Sequence, residues 1–579
     1  MARIGIDLGT STSEIAIYRD GQPEPILDPK TKSPIVPSLV AINRRGEVVV
    51  GDDAKPYVDL PGQGVRELKR LMLDPDSRVT LGGNDYRPQE LASIILRKLK
   101  SNAESALGEP VESVVLSVPA NFPDIARTAT REAGELAGLN IVRMINEPTA
   151  AALAYGIQNP QAEEIVAVFD FGGGTLDITI LEMFQRVVDV KVSHGDPVLG
   201  GKDFDAALKE LILAKFRTAY PHARISQKSE SMLSEKAEAC KKSLSSQTIV
   251  TDVMPNFAVD GSGEPIDLNI EVTREEFDDA VLPLLERVRT AIADSLRKAS
   301  LSPSDITNVL LVGGTTYIPV VRRIVAECFG RQPAPSSVSP DLAVCLGAAV
   351  EAALLAGDVV EDHDITKTDV APYGLGVAVL SEVGNQIMLI YDSLIAPNTS
   401  IPFSVSREYS LVHPDQRTVE VTLFQDHSGR AKFPHEAIDT GITGVIDEIP
   451  PAMYGSPHPF RIDFSYDLDG FAVIKASIPG LNKSVVIRHA PSSSRMTEHE
   501  KTEAMRKLDE LWRSNPSNQT QAALLERARR LQESCSPENG RLLAEASENL
   551  IAALRAEDTQ RIQEMTDRLV DLMFNLEQR

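Results

Sequence analysis

Ile4-Gly5-Ile6-Asp7-Leu8-Gly9-Thr10-Ser11-Thr12-Ser13 and Val168-Phe169-Asp170-Phe171-Gly172-Gly173-Gly174-Thr175-Leu176-Asp177 are one pattern written twice. In each, an apolar strand carries an Asp at its end, and glycines with threonine then turn the chain tightly enough for backbone N–H groups to face a phosphate. Two such turns facing each other make a phosphate clamp. A strand-end carboxylate also suits Mg2+, because hard oxygen matches that ion directly or through its retained waters. Either turn alone is equally an ordinary hairpin with glycine at positive φ, and it is the repetition that argues against this.

Two more stretches fit the pattern. Val309-Leu310-Leu311-Val312-Gly313-Gly314-Thr315-Thr316 is again an apolar strand running into a glycine pair. Asn146-Glu147-Pro148-Thr149, leading into Ala150 to Gly156, sets a carboxylate at the entry of an Ala-rich helix. Pro148 can start that helix because its missing N–H is not needed there.

At 579 residues the chain is too long for one core, so two to four domains are expected. A net charge of -24 opposes electrostatic binding to nucleic acid or an anionic membrane, and neither partner is expected. Cys240, Cys328, Cys345 and Cys535 lie far apart without a CxxC pair, which signals neither zinc nor a disulfide framework and suits a reducing cytoplasm. Asp7 interrupts what would have to be the apolar part of an export signal, and no run approaches membrane-spanning length. A cytoplasmic, unexported protein is expected.

Up to about residue 360, strand-like runs (113–118, 165–169, 309–312) alternate with helical ones (88–102, 124–137), an α/β pattern. The polar, acid-rich stretch Val359 to Asp369 reads as a linker. From Val370 to about Pro491, short β-branched runs punctuated by Pro, Gly and Asp predict an antiparallel β domain. Thr497-Glu498-His499-Glu500 is a capping box opening a helical end, with Ala504, Leu508, Leu511 and Trp512 on one face. Ile562, Met565, Leu569, Leu572 and Leu576 form a later stripe at steps of three and four, expected to pack within a small bundle.

With Ser117-Val118-Pro119-Ala120-Asn121-Phe122, Leu199-Gly200-Gly201-Lys202-Asp203-Phe204-Asp205 and Leu346-Gly347-Ala348-Ala349-Val350, these motifs resemble the ATPase domain of the heat shock protein 70 family, DnaK-like chaperones within the actin-like ATPase superfamily. The resemblance is close over about residues 1–360 and looser over 370–490. It implies a duplicated actin-like (ribonuclease H-like) α/β ATPase domain over 1–358, a linker over 359–369, an antiparallel β-sandwich peptide-binding domain over 370–492, and a helical lid over 495–579.

The same resemblance implies site residues. Asp7 and Asp170 would hold hydrated Mg2+, and Asp177 would take part in K+ coordination. Gly9, Thr10, Ser11, Thr12, Gly172, Gly173, Gly174 and Thr175 would wrap the phosphates of ATP or ADP, with Gly200 and Gly201 beside them. Lys69 matches the lysine that reaches the γ-phosphate and orients the attacking water, and Glu147 the carboxylate near metal and water; Lys69, Glu147, Asp170 and Thr175 are the catalytic set. Positioning and charge neutralisation suffice for this chemistry, so no protein nucleophile is needed. Glu238, Lys241, Ser245, Gly313, Gly314 and Asp341 fit ribose and base contacts. Where much of the family sandwiches adenine between arginines, this chain has Lys242 and Tyr317, and an aromatic ring stacks on a purine.

In the β domain, Tyr409, Val412, Val419 and Val421 would line a cleft for an extended apolar peptide, bound strand-fashion; they serve equally as sandwich core. The implied function is an ATP-hydrolysing chaperone whose grip on apolar segments of unfolded polypeptides follows its nucleotide, with J-domain proteins and nucleotide-exchange factors as partners. A kinase on the same fold leaves residues 370–579 unexplained, while a nucleotide-dependent scaffold is kept open by the linker. There the family's leucines are replaced by Glu361 to Asp369 with Ile365 as the one apolar residue, so docking of the linker is expected to lack an apolar drive.

Overall fold

The computed structural model describes residues 3–158, 163–184, 187–333, 338–357, 366–383, 386–452, 455–467, 469–488 and 496–515, and in the C-terminal part 528, 537–555, 561, 564–566, 568–569 and 572–573. In the first half, β1 (Ile4–Leu8) forms an antiparallel hairpin with β2 (Thr12–Arg19) and runs parallel to β3 (Ser113–Val118), which runs parallel to β4 (Asn140–Asn146). The one-turn helix α1 (Leu68–Leu71), α2 (Pro88–Leu107) and α3 (Asp124–Leu136) belong to this half, and α4 (Glu147–Gln158) leaves it directly from β4.

The second half repeats the plan. There β5 (Glu164–Phe171) forms a hairpin with β6 (Leu176–Phe184), β6 pairs with β7 (Val187–Asp196), and β5 runs parallel to β8 (Asn308–Val312). Helices α5 (Gly201–Ala219) and α6 (Gln227–Leu244) cover it. The register makes the duplication concrete: Asp7 lies opposite Glu14 across the first hairpin, and Asp170 opposite Asp177 across the second. The halves are joined by α4 and α7 (Ala343–Ala356), whose Ala-rich faces allow close approach; a Cβ on Gly347 would sit 1.7 Å from the Ala150 carbonyl oxygen.

The β region contains two four-stranded antiparallel sheets. To place them in chain order, β9 is Thr366–Lys367, β10 Asp369–Val370, β11 Gly374–Val383, β12 Gln386–Ile395, β13 Ser400–Ile401, β14 Phe403–Ser410, β15 Val419–Asp426, β16 Ile438–Ile446, β17 Pro459–Tyr466, β18 Ala472–Ile478 and β19 Lys483–Arg488. The sheets run β12-β11-β15-β16 and β14-β17-β18-β19. Leu375, Val377 and Leu423 from one and Ile462, Phe464 and Ile474 from the other share a single core. The long segment between Val377 and Ile390 is a regular extension of the β11–β12 hairpin, paired out to Val383 and Gln386.

This region is docked on the first 350 or so residues. Tyr373, fully buried, donates its hydroxyl to Asp124 at 2.5 Å, and Asp469 meets Arg131 at 2.6 Å and Arg143 at 3.4 Å. Residues 359–365, Ile365 among them, lie outside the described residues. The end of the linker is docked without apolar side chains: β9 pairs with β7 in parallel, the Thr368 N–H donates to the Val188 carbonyl at 2.9 Å, and its hydroxyl to Asp189 at 2.5 Å. What holds this stretch is backbone pairing, which is indifferent to side-chain polarity and needs no apolar drive.

The apolar face of the first C-terminal helix is buried against the first half of the fold. In α8 (Glu498–Arg513), Ala504 and Leu508 are buried, with Leu511 and Trp512 beside them, in the core that includes α2 and α3. Arg97 to Asp509 at 2.6 Å and Lys501 to Glu135 at 2.6 Å frame that contact. The later stripe does pack in a small cluster, Leu569 being buried with Leu543 and Leu550 of α9 (Pro537–Arg555); Ile562 and Leu576 lie outside the described residues.

Candidate functional site

The turns of the two hairpins face each other across a cleft of about 1110 Å³. Gly9, Thr10, Ser11 and Thr12 line it from the first half, and Gly172, Gly173 and Thr175 from the second. The approach is so close that a Cβ on Gly173 would sit 2.1 Å from Ser11 Oγ, and one on Gly174 2.8 Å from Thr10 Oγ1. Both turns are braced: Ser38 Oγ donates to the Gly9 carbonyl at 2.8 Å and Thr315 Oγ1 to that of Gly172 at 2.8 Å. At the start of α5, the N–H groups of Gly201 and Lys202 donate to the carbonyls of Gly172 and Gly173 at 3.0 Å. Gly200 and Gly174 stand behind the wall, where a Cβ on Gly200 would meet the Gly174 nitrogen at 2.4 Å.

Beneath the turns five carboxyl groups, Asp7, Glu14, Glu147, Asp170 and Asp177, gather round one ammonium, Lys69. Burial would lower Lys69, but Glu147, Asp7 and Asp170 outweigh it and keep the ammonium charged, in contact with Glu147. Burial pushes Glu147 up to about 7 and Asp177 up to about 6. It raises Asp7, and raises Asp170 further because Glu147, Asp177 and Asp7 add their repulsion. Glu14 is raised by burial and by Asp7, and its Oε1 is buried with no hydrogen-bond partner among the described residues. Lys69 and, on the Asp177 side, Arg127 are fewer cations than the five acids they meet, which leaves room for more positive charge.

Asp177 does not reach the cleft wall; it accepts from Asn121 Nδ2 at 2.6 Å in a layer behind Asp170. The far end of the cleft is lined by Glu238, Lys241 and Lys242 of α6, Ser245, Gly313, Gly314, Tyr317 and Asp341. Burial of Glu238 is overcome by Lys202, Lys242 and Lys241, which hold its carboxyl down to about 2. Lys241 donates to the Gly201 carbonyl at 3.0 Å. Tyr317 keeps a ring face available, being 40% exposed, while Arg322 lies over its ring at 5.7 Å.

The peptide-site candidates are distributed differently. Val421 is buried in the sandwich core, Tyr409 and Val419 pack on the edge of that core, and Val412 alone is open to solvent. Tyr409 also donates its hydroxyl to Asp392 at 2.6 Å. Core packing accounts for Val421.

Sequence reasoning did not name several residues that the fold brings here. Ser117 Oγ donates to Asp7 at 2.6 Å, and Asp205 pairs with Lys241 at 2.8 Å. Glu14 was legible, since it stands seven positions after Asp7 as Asp177 does after Asp170. Ser117 and Asp205 stand in two of the quoted motifs, but their contacts were not legible there because the partners lie far away in sequence.

Facing hairpins, one bringing hydroxyls and the other bare backbone over a nest of acids, define a class: two-lobed α/β proteins that close on a phosphate-bearing ligand. Within it the lineage is specific. A profile of the Hsp70 protein family matches residues 3–77 and 73–578. The chain is 38% identical over 484 residues to a protein of Thermotoga petrophila named chaperone protein DnaK, covering 83% of this chain and 79% of that one. Proteins of the same name from Cenarchaeum symbiosum (37% identical, 86% and 74% covered) and Metamycoplasma hominis (36%, 85% and 80%) match similarly. The chain belongs to the Hsp70 family, and with it to proteins combining an actin-like ATPase domain with a β-sandwich and a helical lid.

Proposed function

We propose that this protein is an ATP-dependent chaperone of the Hsp70 type, hydrolysing ATP in the cleft and coupling nucleotide state to its grip on apolar segments of unfolded polypeptides. The observation that carries the residue-level reading is the pair of interlocked hairpins above the Lys69–Glu147 contact. Thr10, Ser11, Thr12 and the N–H groups of Gly173 to Thr175 receive the phosphates, while the Gly172 N–H closes the turn onto the Thr175 carbonyl at 3.1 Å. Lys69 meets the γ-phosphate and orients the water that attacks it, and Glu147 fixes the Lys69 ammonium in place. Tyr317 and Lys242 flank adenine; Glu238, Lys241 and Ser245 hold the ribose.

The acid-rich floor fits Mg2+. Among the described residues no three acidic, histidine or cysteine side chains converge as direct ligands of one ion, so the donor set suits a cation that keeps its waters, with Asp7 and Asp170 receiving them. Such an ion would supply charge neutralisation at the phosphates. Asp177 is assigned to a neighbouring K+. On this proposal the domains span 1–358, 370–492 and 495–579 with the linker at 359–369, the peptide binds in the β-sandwich domain, and J-domain and nucleotide-exchange proteins are the partners. No helix among the described residues is long and apolar enough to cross a membrane; a cytoplasmic location is part of the proposal.

ATP turnover measured with and without an apolar peptide, together with peptide release on adding ATP, tests this. Peptide-stimulated turnover and ATP-triggered release are expected; absence of both leaves a nucleotide-dependent scaffold instead.

A further inference from the structure

Arg70 follows Lys69 on α1 and has no part in the roles above. Its guanidinium leaves the first half of the fold and crosses to the second: Nη2 donates to the Gly174 carbonyl at 2.8 Å and to Asp203 Oδ2 at 3.2 Å. Both partners control the second phosphate turn. Gly174 is the last glycine of that turn. Asp203 accepts the Gly200 N–H at 2.7 Å and so fixes the start of α5, whose N–H groups hold the carbonyls of Gly172 and Gly173. The side chain lies close against the loop, since a Cβ on Gly174 would sit 2.9 Å from Arg70 Nε, and it stays outside the cleft lining. It grips the turn from behind.

Two features make this contact a latch rather than a permanent staple. Arg70 Nε is buried with no hydrogen-bond partner among the described residues, a cost that ends when the cleft opens and water reaches it. Glu67, immediately before α1, holds φ at 58°, a left-handed conformation that non-glycine residues seldom take, and its carboxylate lies 3.8 Å from Arg70 Nη1. A one-turn helix on such a joint carries Lys69 and Arg70 together, so neither moves without the other.

We infer that Arg70 is a positioning residue that ties closure of the two halves to the seating of Lys69: when its guanidinium engages Gly174 and Asp203, the Gly172–Thr175 turn is pinned and Lys69 is held at Glu147. The inference rests on the nucleotide reading given above. It makes the protein's own contact, and not the nucleotide alone, a determinant of how long ADP stays bound.

Full-length Arg70→Ala and Arg70→Lys test it against wild type. The readouts are hydrogen exchange of the 172–175 amides without nucleotide, dissociation of a fluorescent ADP in Mg2+, and single-turnover ATP hydrolysis. In Arg70→Ala the turn exchanges faster, ADP leaves about tenfold faster and hydrolysis slows by a similar factor, as expected for a lost hydrogen bond to a charged group. Arg70→Lys recovers part of each, because an ammonium meets one partner without the guanidinium fork that spans two. Exchange and ADP dissociation both unchanged in Arg70→Ala overturn the latch, whatever hydrolysis does. Should the alanine variant fail to fold, the same readouts on Arg70→Lys decide: a shift in exchange and release supports the latch, wild-type values refute it. Failure of wild type to bind ADP refutes the nucleotide reading, while loop exchange still decides the latch.

Discussion

The two phosphate hairpins descend from one pattern yet have divided the work. The first carries side chains at Thr10, Ser11 and Thr12; the second is bare at Gly172, Gly173 and Gly174 and carries a side chain only at Thr175. The reason is spatial: a Cβ on Gly173 would overlap Ser11 Oγ at 2.1 Å, so two side-chain-bearing turns do not fit face to face. On the floor both halves bring a matching pair of acids, Asp7 with Glu14 and Asp170 with Asp177, while the ammonium of Lys69 comes from the first half. Duplication supplied two matching halves, and closure made them complementary.

The largest break in that complementarity is expected from Lys69→Ala. The turns keep their donors, so Mg-ATP stays bound, while loss of a preorganised charge at the γ-phosphate costs about 3 kcal/mol, roughly a hundredfold or more in single-turnover hydrolysis. Unchanged single-turnover rates would take Lys69 out of the mechanism. Next comes Gly173→Ala, in which overpacking against Ser11 is expected to cost about 1 to 3 kcal/mol of ATP affinity. Adding Ser11→Gly to that variant restores part of the loss in a titration, because the obstructing hydroxyl is gone; no recovery would mean that the glycine is needed for its backbone and not for space.

A smaller effect is expected at the base. Tyr317→Ala should lose about 1 kcal/mol of ATP binding, several-fold, and Tyr317→Phe much less, since the ring face does the stacking. Equal losses in the two variants would assign the role to the hydroxyl. The smallest effect lies at the cleft mouth, where Glu235 of α6 faces Asp59 and Arg66 of the first half, with Arg66 3.9 Å away. Burial, followed by the hydrogen bond and charge of Asp59, pushes Glu235 up to about 7 against the pull of Arg66. A raised carboxyl binds its proton more tightly when the mouth is closed than when it is open, so closure is favoured as pH falls through 7 and weakened above it. ADP release should therefore quicken modestly from pH 6 to pH 8, and Glu235→Gln, fixed in the neutral form, should flatten the profile. A profile unchanged by that substitution would clear Glu235 of any gating role.

Much of the site was legible because its parts are local. Each hairpin brings an acid, the turn and the acid opposite within eight residues, 7–14 and 170–177, so register alone sets Asp7 opposite Glu14 and Asp170 opposite Asp177. The boundaries of β17 and β18 follow from simple alternation for the same reason. The rest was hidden because it depends on partners far off in the chain. The apolar face of Ala504 and Leu508 announced a buried helix without saying against what, and the answer is the core of α2 and α3. Val421 and Val412 look alike in sequence, yet one points into the sandwich and the other lies in solvent.

By itself the sequence determined the duplicated hairpins, the acids at their strand ends, the order of α/β, β and helical regions, and through these the Hsp70 lineage. All rest on short-range rules, period two in strands, glycine in turns and caps on helices, that a chain obeys wherever it is placed. Only the tertiary structure decided that the linker end docks by backbone pairing despite its polarity, that α8 rests on the first half of the fold, and that Arg70 reaches Gly174 and Asp203 more than a hundred positions away. Those are contacts between surfaces, and a surface exists only after distant segments have been brought to the same place.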